Sequence, residues 1–129
     1  MITYAFEQRL VPLIQAGLVS QTFRPPSLRH ARPGERIRLT DRTTSGAIIP
    51  DPICTHVARC EVSWLAGHIS AIRQDGIPVI WSDRFAEALG YRSFAELEDS
   101  WAAEFSPTFL EGLIIEWAPP QATSVEVAA

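Results

Sequence analysis

The chain contains no lysine: all eleven of its Lys/Arg positions are arginines. Arginine presents a planar fork of donors to a phosphate or a carboxylate, but it does not release its proton near neutral pH. Chemistry that needs a lysine amine as proton acceptor is therefore excluded. Cysteine is almost as scarce. Cys54 and Cys60 are the only two, and their spacing fits neither a zinc knuckle nor a redox CxxC pair. Both are expected to be reduced core residues that share one face of a strand, because their separation is even. A disulfide between them is the alternative. No stretch approaches the roughly 18 consecutive apolar residues of a membrane span, and residues 1–6 lack the basic-then-apolar layout of a signal peptide. A cytoplasmic protein without membrane contact is expected.

What is present belongs to one packed domain. The 129 residues are 47% hydrophobic and 20% charged, with four tryptophans, enough for a core without disulfides or a structural metal. The net charge of −4 hides a division along the chain. Residues 1–45 carry seven arginines against three acids, and residues 46–129 carry four against twelve. An arginine-rich first third is compatible with a patch that meets phosphate, and equally with a solvated cationic face.

Local patterns sketch the elements. Residues 1–6 read as a short strand, and Leu10, Leu13 and Ile14 have helical spacing before Gly17, with Pro12 tolerated only in a first turn. Residues 18–24 are β-prone up to Pro25-Pro26, and SLRHARPGE is a basic loop with a Pro-Gly turn. Arg36 to Thr40 alternates strictly, which puts Ile37 and Leu39 inward and both arginines outward or into a cleft. Residues 53–65 form the longest β-prone run, and Asp75-Gly76 marks a hairpin turn. Ser82 can cap a helix over Arg84–Leu89 that Gly90 closes. Ser93 and Glu96 form a capping-box pattern ahead of a second helix, Ser93–Trp101. Residues 110–119 read as a last strand, and 120–129 as a disordered tail. Strands and helices are segregated, so the expected class is α+β: a mainly antiparallel, barrel-like sheet of five or six strands flanked by short helices.

Several segments, in this order, resemble the ASCH family of the PUA-like superfamily in its bacterial and prophage form. They are YAFEQRLVPLIQAGLVSQTFR with its Thr22-Phe23-Arg24 ending, the loop RHARPGERIRL, DRTTSG, IPDPIC, FAEALGYRSFAELEDSW and FLEGLIIEWAP. The resemblance spans residues 1–119. It implies a PUA-like barrel with a central cleft for RNA, and in some members an amidohydrolase that deacetylates N4-acetylcytidine. Those enzymes use a lysine, a threonine and a later acidic residue. The lysine position falls here on Val19, the threonine on Thr22, and the acid near Leu89 or Gly90. Two of the three roles are lost, which leaves Thr22 as the one catalytic candidate.

The candidate ligand-binding residues are Thr22, Arg24, His30, Arg42 and Thr43. Thr22 and Arg24 lie two apart on a strand and share a face. His30 stands among Arg29 and Arg32, and the resemblance places Arg42 and Thr43 beside the cleft. The leading expectation is a binding module for RNA or a modified nucleotide. A small hydrolase, acting on an acylated nucleoside or cleaving RNA with His30 or Glu87 as base, is the second reading. A phage-derived protein-interaction factor using the acidic C-terminal half is the third. No cofactor or metal is expected, since His56 and His68 have no Cys or carboxylate at ligand spacing. Nothing in the residues sets an oligomeric state.

Overall fold

The computed structural model describes residues 1–27, 29–80, 82–105 and 109–120. Of the tail expected over 120–129, residues 121–129 lie outside them. Strand β1 (Ile2–Phe6) leads through a 3-10 turn, Gln8–Leu10, into the short helix α1 (Val11–Gln15). Pro12 sits in the first turn, where its missing N–H costs no helical bond, and Gly17 ends the helix at φ +75°. Strands β2 (Gln21–Arg24) and β3 (Ile37–Asp41) follow, with Ile37 and Leu39 fully buried and Arg38 exposed as the alternation predicts.

The long strand β4 (Cys54–Leu65), β5 (His68–Gln74) and the two-residue β6 (Ile77–Pro78) form consecutive hairpins. Their turns, Ala66-Gly67 and Asp75-Gly76, hold both residues at positive φ, the twist that matches right-handed strands. Helix α2 (Asp83–Ala88) starts where the Ser82 hydroxyl accepts the Phe85 N–H. Helix α3 (Phe94–Phe105) starts where Ser93 accepts the Glu96 N–H, and it runs a turn beyond the expected Trp101. Glu96 turns its carboxylate to the Arg92 N–H, so only half of the capping box forms. Strand β7 (Phe109–Trp117) completes the order.

Five strands make one antiparallel sheet in the order β2-β7-β4-β5-β6, while β1 and β3 form a separate parallel ladder. The α+β class and the mostly antiparallel sheet are as expected; the parallel pair is not. An antiparallel bridge between Arg36 and Ile53 links the ladder to the start of β4. Among the described residues no strand ladder closes the sheet on itself, and β2 and β6 remain edges.

Each face of the sheet carries its own core. Ile115 and Trp117 of β7 pack with Tyr4, Phe6, Ile37 and Leu39, whereas Leu110 and Ile114 face Phe85, Leu89, Leu97 and Trp101. Each fully buried aliphatic side chain contributes about 1.5–3 kcal/mol. A register shift between Cys54 and His56 interrupts the alternation of β4. It sends Cys54 into the first core and Cys60 into the second, so the two thiols lie on opposite faces, contrary to the even-spacing expectation. Both are free.

Candidate functional site

A cavity of about 140 Å³ opens along the free edge of β2, at the seam between the two cores. Strand β2 contributes Thr22 and Arg24, and Arg42 enters just after β3. The opposite side is built by Tyr91, beyond α2, and by Trp101 and Glu104 of α3. Phe23 packs on Trp101 with ring centroids 4.8 Å apart and meets Phe105 edge-on at 5.9 Å, giving the cleft an aromatic wall. Gly112 of β7 makes that possible: a Cβ there would collide with the Phe23 ring and the Arg24 carbonyl oxygen.

Arg24 is half-buried and tightly held. Its Nη2 donates to the Ala5 carbonyl at 2.7 Å and its Nε to the Thr22 hydroxyl at 3.3 Å, while the guanidinium lies 4.9 Å from the Phe6 ring centroid and 5.2 Å from that of Tyr4. Burial first, and then the neighbouring charge of Arg42, push its pKa below the ordinary arginine value, with Tyr4 and Glu104 opposing. Two like charges thus approach one another with Glu104 near but not paired to either: neither Arg24 nor Arg42 has an ion-pair partner among the described residues. The backbone of Arg42 is fixed by its N–H bond to the Phe6 carbonyl, 2.9 Å, but its side chain is exposed. Across the cleft, Arg9 donates to the Gly90 carbonyl at 2.7 Å and lies over the Tyr91 ring, which steadies that wall.

The cleft therefore gathers Thr22, Arg24 and Arg42 and leaves out His30 and Thr43. His30 stacks on Tyr4, with Nδ1 3.0 Å from the Tyr4 hydroxyl and Nε2 2.8 Å from the Pro25 carbonyl. A carbonyl can only accept, so Nε2 carries the proton, and in the neutral ring Nδ1 accepts from Tyr4. The imidazole is thereby committed to holding the loop, and it borders a separate depression with Arg59 and Glu111. Thr43 is exposed and uses its N–H on the Asp41 carboxylate at 2.8 Å. Arg29 pairs with Glu35 at 3.0 Å, and the same carboxylate caps the Arg32 N–H at 2.8 Å, outside the cleft.

Val19, at the lysine position of the resemblance, is buried in the first core. It and Glu87 border an adjoining groove instead of the cleft. His56 lies 4.0 Å from Asp75 and His68 2.9 Å from Glu98. No group of three or more metal-ligating side chains occurs among the described residues, and no helix there is long and apolar enough to cross a membrane. Glu104 and Tyr91 were not anticipated from the sequence. The one available signal was helical spacing, since Glu104 follows Trp101 by three residues and so shares its face.

Compared with known proteins, the chain matches no family model, no curated protein and no solved structure.

Proposed function

We propose that this chain is a non-enzymatic binding module whose cleft takes an anionic ligand, RNA or a nucleotide. The observation that carries this reading is the pair Arg24 and Arg42, two guanidiniums that border one cleft without a salt bridge among the described residues, Glu7 and Glu104 standing only at its margins. A phosphate group placed between them pairs with both guanidiniums and accepts the donors that protein groups leave unspent. Phe23 and Tyr91, both half-buried, leave some apolar surface at the rim of the cleft for the part of a nucleotide that lies beyond the phosphate.

The same arrangement supports an ASCH-type, PUA-like reading of the fold. The Arg36–Ile53 bridge joins the parallel pair to β4 on one side, and the Arg24–Ala5 hydrogen bond joins β2 to β1 on the other. Seven strands linked in this way approximate an open barrel whose seam is the cleft. A cytoplasmic setting and a prophage origin accompany that reading as part of the proposal.

Hydrolysis has less support. The bond from Arg24 Nε to the Thr22 hydroxyl comes from a donor that cannot serve as a base, Glu87 lies in the adjoining groove, and His30 is engaged elsewhere. The test is titration of a short single-stranded RNA and of nucleoside monophosphates at two salt concentrations. Arg42→Gln is expected to weaken binding roughly tenfold, the loss of one charge-assisted contact. Arg29→Ala and Arg32→Ala, outside the cleft, should change it far less. Equal small losses in all three would reduce the interaction to diffuse attraction and overturn the reading.

A further inference from the structure

The two guanidiniums leave a specific set of donors open. Arg24 spends Nε on Thr22 and Nη2 on Ala5, while its Nη1 has no hydrogen-bond acceptor among the described residues. The side chain of Arg42 likewise has no hydrogen bond or ion pair there. One half-buried and one exposed positive charge therefore face a small space from the same side. An internal phosphodiester offers that space a single negative charge and two free oxygens. A phosphate monoester carries about −1.5 to −2 charges near pH 7 and three strong acceptor oxygens.

Size and surrounding charge point the same way. At about 140 Å³ the cavity is well below the roughly 300–1,000 Å³ of pockets that enclose a whole drug-sized ligand, so it admits a head group and not a complete nucleotide. Trp101, 2% exposed, closes it inward, and Leu89, 6% exposed, narrows it. Glu7 and Glu104, both exposed, stand at its margins. A strand running through the cleft would carry its flanking phosphates past these carboxylates, at a repulsive cost. A ligand entering end-on places only its terminal group between the arginines and keeps the remainder outside.

We infer that the group recognised between Arg24 and Arg42 is a terminal phosphate monoester, borne by a free nucleotide or by the end of an RNA strand, and not an internal phosphodiester. This rests on the anion-binding reading above. Specificity then lies in the end of the molecule, with little demand on its base sequence. Affinity should also follow the second ionisation of the phosphate, which falls near pH 6, because the arginines themselves do not titrate in that range.

The experiment uses the full chain and one short single-stranded RNA prepared with a phosphate at its 5′ end, at its 3′ end, or at neither. A nucleoside is compared with its monophosphate alongside. Binding is followed by calorimetry at about pH 5 and about pH 7.5, on either side of the phosphate ionisation. Arg42→Gln serves as the cleft variant, because Arg24 also ties β2 to β1. The expected result is an advantage of roughly tenfold or more for a phosphorylated end, reduced at the lower pH and largely removed by Arg42→Gln. A monophosphate binding as tightly as the phosphorylated strand identifies a free nucleotide as the ligand. Tighter binding of the strand identifies an RNA end. Equal binding of all three RNAs that still depends on Arg42 overturns the inference and leaves the cleft reading standing. Binding that ignores Arg42→Gln, or no binding of any probe, overturns both.

Discussion

The Nη2 of Arg24 donates to the Ala5 carbonyl at 2.7 Å, so a side chain ties the free edge of β2 to β1 where no strand ladder runs. The same guanidinium that faces the cleft is therefore also part of the frame around it. Arg24→Ala removes this bond, the bond to Thr22 and the contacts over the Phe6 and Tyr4 rings. A loss of about 1–3 kcal/mol is expected, read as a drop of several degrees in Tm. Arg42→Ala, exposed and without such bonds, should stay within about 0.5 kcal/mol of the parent. Comparable melts for the two variants would show that the Arg24–Ala5 tie contributes nothing.

Gly112 offers a separate test of the frame. Its missing Cβ leaves room for the Arg24 carbonyl oxygen and the Phe23 ring, of which the carbonyl belongs to the backbone and cannot swing away. Gly112→Ala should cost about 1–3 kcal/mol by overpacking, and adding Phe23→Leu should recover part of it. Urea unfolding of the single and double variants measures both. An unchanged midpoint for Gly112→Ala would mean that β2 moves off β7 without cost.

Much of the fold was legible because it is encoded locally. The alternation of Arg36, Ile37, Arg38 and Leu39 marked β3, and the fully buried Ile37 and Leu39 follow it. Glycines after apolar runs marked the ends of α1 and α2, where Gly17 and Gly90 adopt positive φ. Ser82 and Ser93 marked two helix starts. Non-local choices were not legible. Parallel pairing of β1 with β3 depends on how the connecting segment crosses, and no residue in either strand states it. The bulge after Cys54 inserts one residue and reverses the side-chain alternation, so the even spacing of Cys54 and Cys60 misleads.

The cleft was legible only where a motif lay on one strand. Thr22 and Arg24 arrive together because they are two apart on β2. Thr43 follows the cleft residue Arg42 and His30 lies five positions after Pro25, but each is spent on a local bond, His30 on the Pro25 carbonyl and Thr43 on the Asp41 carboxylate. Glu104 sits far along α3, and its place at the cleft follows from how that helix packs on the sheet through Leu97 and Trp101.

The thiols provide a third prediction. Burial is the first cause that pushes the pKa of Cys60 up to about 12, and burial raises Cys54 as well. At pH 8 the reactive thiolate is therefore scarce and shielded. Labelling of the native protein by an aromatic disulfide reagent should follow unfolding, slow in buffer and complete in denaturant. Because the two residues occupy opposite faces of the sheet, mild oxidation should yield no intramolecular disulfide. Rapid labelling of either thiol without denaturant would contradict their placement.

Glu98 supplies the acid limb of stability. One of its oxygens lies 2.9 Å from His68 Nδ1 and the other accepts the Ile69 N–H at 2.8 Å, so the carboxylate clamps α3 to the start of β5. Burial, the largest single influence, would raise its pKa, but the hydrogen bonds from His68 and Ile69 together outweigh it and leave the value below the ordinary glutamate range. A depressed folded pKa means that the unfolded chain takes up the proton first as pH falls. The stabilisation is then fully present above the ordinary glutamate pKa, near 4.3, and is lost as pH drops through the lower folded value. Glu98→Gln keeps an acceptor for Ile69 but removes the charge, and should cost about 1 kcal/mol at pH 6. That difference should shrink when both proteins are unfolded in urea near pH 3, because the unfolded parent is by then taking up the proton that the folded carboxylate resists. A gap that stays constant on acidification would show that the clamp acts through shape alone.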